Sequence, residues 1–213
     1  MKLKQLIAGV ILLLAGGPAL ATEEPRYDVV KQYEAFELRR YATQLRAETE
    51  VTGEFESAGN QAFRILAAFI FGDNRKQESI SMTAPVNMQP AETGEKISMT
   101  APVTMVPKEG GAQRGTYVFS FVMPAGYTRA TLPQPTDPRV VIREMPARLV
   151  AARRYSGTWS ESRYREQEAI LVEAVAHAGL RSAGPPVFAR YNSPFSLWFL
   201  RRNEVLIEIV NAP

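Results

Sequence analysis

Cysteine is absent from the 213-residue sequence. Without a thiol the chain forms no disulfide and builds neither an iron–sulfur cluster nor a cysteine-ligated zinc site. Covalent haem attachment through a cysteine pair is excluded for the same reason. The fold must therefore be stabilised by its hydrophobic core. Hydrophobic residues make up 46% of the chain, as in an ordinary globular protein.

Histidine is nearly as scarce, because His177 is the only one. The sequence also contains no G-x-S-x-G, H-E-x-x-H or P-loop pattern, so no nucleophile–base pair or metal-binding triad can be recognised. We therefore predict that the protein is not an enzyme. His177 falls near the end of a predicted helix, where an interaction with the helix dipole is a simpler interpretation than metal ligation.

A concentrated basic patch is also missing. The arginine pairs at positions 39–40, 153–154 and 201–202 are scattered along predicted strands, and the formal net charge is only +3. Nucleic-acid binding needs basic side chains grouped on one surface. We therefore predict no nucleic-acid partner.

The first 21 residues have the pattern of a secretory signal peptide. Lys2 and Lys4 precede an apolar run from Leu6 to Leu14, and Ala19-Leu20-Ala21 resembles a cleavage site. The run is shorter than the roughly 18 apolar residues of a spanning helix, so cleavage after Ala21 is favoured over an uncleaved anchor. We expect a mature chain of residues 22–213 that is exported to the periplasm, with no membrane span.

Periodicity predicts strands and two helices. Alternating apolar and polar residues indicate strands at 35–41 and 44–51. Helical spacing predicts one helix from a possible N-cap at Ser57 to Gly72, and a second from Ser160 to about Ala178. The second half of the first helix is apolar on every side, so it must contact more protein, the simpler case, or a ligand.

The two predicted helices belong to a longer internal repeat with an offset of 104 residues. Its matched pairs are Phe36/Val140, Leu38/Ile142, Arg39/Arg143, Leu45/Leu149, Ala47/Ala151, Gly53/Gly157, Phe55/Trp159 and Leu66/Ile170. The repeat predicts an α+β domain made of two ββαββ-type halves, approximately 27–130 and 131–213, related by duplication. A proline-rich connector at 131–138 joins them.

The heptad ISMTAPV occurs twice, at 80–86 and at 97–103. In each copy alternate residues are apolar, which predicts two strands with one apolar face, bent at Pro85 and Pro102. Met82 and Met99 lie on that face. Thioethers can bind copper or haem iron, but methionine is more often an adaptable core residue.

These motifs together make the chain similar to the SOUL haem-binding proteins, over residues 27–210. The resemblance depends on the doubled heptad, on FSFVMP at 119–124, and on YNSP at 191–194 followed by RRNE at 201–204. It implies a distorted antiparallel β-barrel or sheet with two flanking helices and a pseudo-twofold repeat.

The resemblance also implies non-covalent binding of haem b, another tetrapyrrole or a related flat hydrophobic ligand. In the family the ligand is thought to lie against the first helix, where the matching positions here are Phe63, Ala67 and Ile70. Arg64 is the cation on this helix available to a propionate, with Arg75 and Lys76 just beyond it. Met82 and Met99 complete the predicted binding set, and an axial ligand to iron would have to be a tyrosine, a methionine or His177.

A second function of a different class stays open. The same apolar helix surface could bind a protein partner or a second copy of the chain, without any tetrapyrrole. The two functions differ in whether the purified protein binds a flat ligand saturably.

Overall fold

The computed structural model describes residues 23–76, 95–110, 115–192 and 196–211. The predicted signal peptide and the first copy of the heptad, with Met82, lie outside these ranges. Among the described residues, no helix has the length and apolar character needed to cross a bilayer.

The described residues form two helices and eleven strands. In order they are β1 (Tyr27–Gln32), β2 (Glu37–Tyr41), β3 (Gln44–Gly53), α1 (Phe55–Phe71), β4 (Asn74–Arg75), β5 (Val103–Gly110), β6 (Gly115–Val122), β7 (Gln134–Pro135), β8 (Val141–Met145), β9 (Arg148–Tyr155), α2 (Glu161–His177), β10 (Arg181–Arg190) and β11 (Asn203–Asn211), with a 3₁₀ turn at Trp198–Leu200.

Nine of the strands form one antiparallel sheet in the order β1-β2-β9-β11-β10-β5-β6-β3-β8. The expectation of a barrel is wrong, because the sheet is open and ends at β1 and β8. Both edge strands are short and largely exposed, and they do not pair with each other, as closure of a barrel would require. The α+β class, the antiparallel sheet and the two flanking helices are confirmed.

The expected internal duplication is visible in the strand order. Apart from β1, which has no counterpart in the sheet, exchanging β2, β3, β5 and β6 with β8, β9, β10 and β11 in that order reverses the strand order onto itself. The 104-residue offset also relates the bounds of β2 to those of β8. The pseudo-twofold axis therefore falls between β5 and β10. One strand of each half also pairs with a strand of the other half, since β2 pairs with β9 and β8 with β3.

Both helices contribute buried side chains to the main hydrophobic core. Because side chains alternate between the two faces of a strand, β11 contributes to both faces of the sheet. Val205, Ile207 and Ile209 belong to the main core, whereas Leu206 belongs to a smaller cluster on the opposite face. The sheet is therefore buried on both faces near its centre.

The structure confirms some of the helix ends that the sequence predicts and corrects one. Ser160 is the N-cap of α2, because its side chain accepts a hydrogen bond from the Arg163 amide. The N-cap of α1 is Glu54 rather than Ser57, whose hydroxyl instead donates to the Glu54 carbonyl at 3.1 Å. The helix ends at Gly72, whose φ of 126° is a conformation that favours glycine.

The second heptad copy is only partly a strand. Residues 97–102 have no ladder, and β5 begins at Val103, directly after the cis peptide bond between Ala101 and Pro102. Proline has no N–H to donate, which explains why the ladder starts only beyond it. Ile97 is buried, and its amide bonds to the Ile70 carbonyl at 2.7 Å. This segment therefore packs against the end of α1.

Candidate functional site

An aromatic cavity of about 110 Å³ lies between α1 and the centre of the sheet, beside the pseudo-twofold axis. Its described lining consists of Gly59, Asn60, Phe63, Val103, Met105, Phe119, Trp159, Phe188, Arg190 and Asn192. Four of these lining residues are aromatic and none is acidic. We call it the α1 cavity.

The floor of the α1 cavity is built by the pairing of β5 with β10. Phe188 lies opposite Met105 and Arg190 lies opposite Val103 in that ladder. Because side chains two residues apart share one face of a strand, both pairs point to the same side of the sheet. Met105 and Phe188 are almost fully buried, so the floor is closed.

Trp159 forms a wall that is held in place by hydrogen bonds. Its indole N–H donates to the Asn203 side-chain oxygen at 2.8 Å, and the Asn203 amide group donates to the Gly157 carbonyl at 3.2 Å. Gly157 has a φ of 129°, which lets the chain turn sharply between β9 and α2. The Arg201 guanidinium lies 4.3 Å from the Trp159 ring centroid. The wall is therefore positioned before any ligand binds.

Arg190 is the one cation in the described lining of the α1 cavity. Its guanidinium lies 4.9 Å from the Phe188 ring, 5.0 Å from Trp159 and 5.9 Å from Phe55. Its Nη2 atom is buried without a hydrogen-bond partner. Burial lowers the pKa of Arg190 to about 10, so the side chain still carries its charge at neutral pH.

An exposed apolar loop starts at this cavity. Leu197, Trp198, Phe199 and Leu200 are each more than half exposed. The base of the loop is tied to the cavity, because the Arg202 amide donates to the Asn192 side-chain oxygen at 2.6 Å. A flat apolar ligand too large for the cavity would find further apolar surface on such a loop.

A larger cavity of about 590 Å³ is lined by residues 23–26, 42–45 and 122–129, at the start of β3 and the end of β6. Leu45, Val122 and Met123 in its lining are almost fully buried and Tyr127 is partly buried, while charged side chains of both signs line it, including Arg26 and Glu144. Ligand sites for flat apolar molecules are lined mainly by apolar side chains. The α1 cavity is therefore the better candidate.

The residues predicted from the sequence are not all brought together. Phe63 lines the cavity and is 37% exposed, whereas Ala67 and Ile70 are buried in the protein interior. The exposed Arg64 donates from Nε to the Asn60 carbonyl at 3.3 Å. Met99 is 39% exposed, and neither it nor Arg64 belongs to the described lining. Met82 is outside the described ranges.

Sequence reasoning missed Arg190 and did not assign Trp159 to a site. The duplication did single out Trp159, as the counterpart of Phe55. Arg190 had a weaker signal: a charged residue two positions after Phe188, in phase with the buried face of a strand.

A separate buried charge network lies on the other face of the sheet. Arg39 bonds to the Glu204 carboxylate at 2.8 Å, the Tyr191 hydroxyl donates to it at 2.6 Å, and Arg202 donates to it at 2.9 Å. Every oxygen of Glu204 is thus satisfied. We interpret this network as structural, in contrast to Arg190.

Comparison with known proteins identifies the family. The family model for the SOUL heme-binding protein matches residues 22–93 and 89–208, which together cover most of the chain. The chain therefore belongs to the SOUL heme-binding family. No curated protein matches the chain significantly.

Solved structures share the fold at low sequence identity. The crystal structure of the EcmrR C-terminal domain has a TM-score of 0.58 and 9% identity, covering 87% of this chain and 99% of that one. In a cryo-EM structure of an EcmrR–DNA complex the values are 0.57 and 9%, over 84% of this chain and 59% of that one. An uncharacterized conserved protein from Listeria innocua has a TM-score of 0.51 and 10% identity, covering 90% of this chain and 94% of that one. These similarities establish the fold alone.

Proposed function

We propose that the protein binds haem b or a related tetrapyrrole non-covalently at the α1 cavity. The observation that carries this proposal is an aromatic cavity with a charged guanidinium at its side, whose Nη2 atom has no hydrogen-bond partner among the described residues. A tetrapyrrole offers a flat apolar ring system and acidic side chains, which match these two features. Membership of a haem-binding family supports the same assignment.

The residues present fit part of such a ligand. Small-molecule sites usually measure about 300–1,000 Å³, and the α1 cavity holds about 110 Å³. One edge of the macrocycle would enter the cavity between Phe63 and Trp159, with a carboxylate toward Arg190. The remainder would lie on exposed apolar surface such as the loop at 197–200. When bound, haem would supply an iron centre, and Met105 is the described lining residue with an atom suited to ligate it.

Titration of the purified mature protein with haemin and with iron-free protoporphyrin IX tests this function. We expect a saturable shift of the Soret band with both ligands at micromolar concentration. Replacing Phe63 with alanine removes an aromatic contact at the cavity and should weaken binding about tenfold, the equivalent of about 1.4 kcal/mol.

Phe71→Ala is the matched control. Phe71 is also exposed on α1 but does not belong to the described lining of the cavity, so its variant should bind within a factor of about two of the unmodified protein. Absence of saturable binding in the unmodified protein would rule the function out. Equal losses of binding affinity in the two variants would show that the ligand does not bind at the α1 cavity.

We further propose that the chain is exported to the periplasm after removal of residues 1–21. The charged, apolar and small-residue segments at the N-terminus support this. Mass spectrometry of the protein from fractionated cells should find Thr22 as the first residue, in the periplasmic fraction. Recovery of the intact N-terminus in the cytoplasmic fraction would contradict export.

The alternative function, a protein-interaction module that uses the apolar face of α1, has little exposed surface available. Ile65, Leu66, Phe69 and Ile70 are buried, which leaves Phe63 and Phe71 as the large apolar side chains of α1 that are more than a third exposed. A protein that binds no tetrapyrrole and self-associates in light scattering would favour this alternative.

A further inference from the structure

The half-buried Arg190 has a different environment from Arg39 and Arg153, which hold hydrogen-bonding partners. Arg39 is paired with Glu37 and Glu204, and the half-buried Arg153 donates to the Gln167 side chain at 2.9 Å and to the Ala35 carbonyl at 2.9 Å. Arg190 has no hydrogen bond or ion pair to any described residue. Removing an ionised group from water is costly unless a counter-charge or hydrogen bonds replace the lost solvation.

Aromatic rings offset part of that cost. Three ring centroids lie within 5.9 Å of the guanidinium carbon, which is the range of cation–π attraction. Ring faces attract the charge but accept none of the five N–H donors in the strong, directional way that a carboxylate does. The guanidinium therefore keeps an unused capacity to bind an anion.

The Arg190 guanidinium faces the cavity. Arg190 lines the α1 cavity, and a β-carbon built on Gly59 would lie 3.5 Å from its Nη1 atom, so the glycine leaves space beside the guanidinium. The amide side chains of Asn60 and Asn192 belong to the same lining and can also donate to an anion. Within the described lining there is no aspartate or glutamate to repel one.

The volume of the cavity limits the size of the group that is attached to the anion. Its volume of about 110 Å³ is somewhat below the roughly 150 Å³ of an apolar protein cavity known to hold benzene. Space of that order takes about one ring or one substituted edge of a larger ring system. Aromatic walls and a cation together select an acid whose carboxylate is attached to a flat conjugated group.

We propose that Arg190 is the anion anchor of the α1 cavity and binds a carboxylate attached to a flat apolar ring system. This deepens the proposed function, on which it rests for the identity of the ligand. The carboxylate could belong to a tetrapyrrole propionate or to a free aromatic acid, and both share the chemistry that the cavity selects. Arg64, the cation that the sequence favours, has no part in it.

The test compares protoporphyrin IX with its dimethyl ester, which keeps the ring system and loses both charges. Binding of each is measured by absorbance and fluorescence to the unmodified mature protein and to the Arg190→Met, Arg190→Lys and Arg64→Met variants. Loss of a charge-assisted bidentate contact should weaken binding about thirtyfold. We expect that loss when the ligand is esterified and also when Arg190 is replaced with methionine.

The two losses should not add, because each removes the same contact. Arg190→Met should therefore bind acid and ester alike, Arg190→Lys should show an intermediate preference for the acid, and Arg64→Met should behave as the unmodified protein.

A second arm uses 2-naphthoate as a competitor, which should displace protoporphyrin from the unmodified protein if free aromatic acids share the site. Thermal unfolding confirms that each variant is folded; Arg190→Met is expected to unfold at the same temperature or higher, since it removes a partly buried charge that has no ion pair among the described residues.

The outcomes separate this proposal from the proposed function. If the unmodified protein binds acid and ester equally, or if Arg64→Met loses the distinction and Arg190→Met keeps it, Arg190 is not the anchor, although tetrapyrrole binding stands. If no tetrapyrrole binds but naphthoate binds in an Arg190-dependent manner, the tetrapyrrole function fails and the carboxylate site stands. Binding of none of these ligands overturns both.

Discussion

Replacing Glu204 with leucine should lower the free energy of unfolding by about 3–5 kcal/mol, because it leaves a buried guanidinium without its counter-charge. Glu204 is fully buried, and Arg39, its partner at 2.8 Å, is only 3% exposed. Arg39 keeps a contact of 2.7 Å to Glu37, which should hold the loss toward the lower end of that range. Urea unfolding followed by circular dichroism measures it.

Two variants separate the charge effect from packing. Arg39→Met combined with Glu204→Leu removes both charges and should recover about half of the loss or more. Glu37→Leu removes a carboxylate that is 32% exposed and should cost less than about 1 kcal/mol. A double variant as unstable as Glu204→Leu alone would show that the network does not act through charge pairing.

The same network predicts how stability depends on pH. Burial alone would raise the pKa of Glu204, but hydrogen bonds and charges from Arg39, Tyr191 and Arg202 outweigh it and hold the pKa below its usual value. A carboxyl with a lowered pKa in the folded state stabilises the protein above its unfolded pKa, about 4.3, and loses that contribution as pH falls through the folded pKa. The difference in stability between the unmodified protein and Glu204→Gln should therefore be constant from neutral pH to about 5 and shrink in more acidic solution.

Replacing Tyr164 with alanine should cost a similar amount, about 3–5 kcal/mol, because it leaves a large hole in the core. Tyr164 is fully buried on α2, with its ring 4.9 Å from Phe188 and 6.0 Å from Phe55. Its hydroxyl donates to the Pro186 carbonyl at 3.2 Å. The contacts join α2 to the strand that carries Arg190, so the variant should also weaken ligand binding.

Tyr164→Phe is the matched control for that variant. It keeps the ring and loses one hydrogen bond, so it should cost only about 1 kcal/mol and leave binding nearly unchanged. Urea unfolding and the Soret titration measure both effects. Equal stability of the alanine and phenylalanine variants would mean that the ring contacts do not hold α2 on the sheet.

Local sequence patterns were sufficient for both helices and for the first two strands that they predicted. The strands at 37–41 and 44–53 and the helix that begins after Ser160 follow from periodicity and a capping residue, both of which are properties of neighbouring residues. The same patterns failed at 97–102, where apolar alternation continues but no ladder forms. Alternation describes which side chains can be buried together, not whether the backbone finds a partner strand.

The candidate site was harder to predict than the elements. Phe63 lies where the family resemblance suggests, on the exposed side of α1. Arg190 and Trp159 come from the other half of the chain and meet α1 only because β5 pairs with β10. The sequence pointed to Arg64 as the cation, and only the structure showed that Arg64 is exposed on the helix, outside the described lining of the cavity.

By itself the sequence determined the absence of thiol chemistry, the duplication, the family and the α+β class, since composition and repeats need no three-dimensional contact. Only the tertiary structure decided that the sheet stays open, that the chain itself covers most of the apolar end of α1, and that the Arg190 guanidinium, without an ion pair among the described residues, faces an aromatic cavity. The physical reason is that desolvation and pairing depend on residues far apart in sequence, and no local pattern records which charges will be left without a partner.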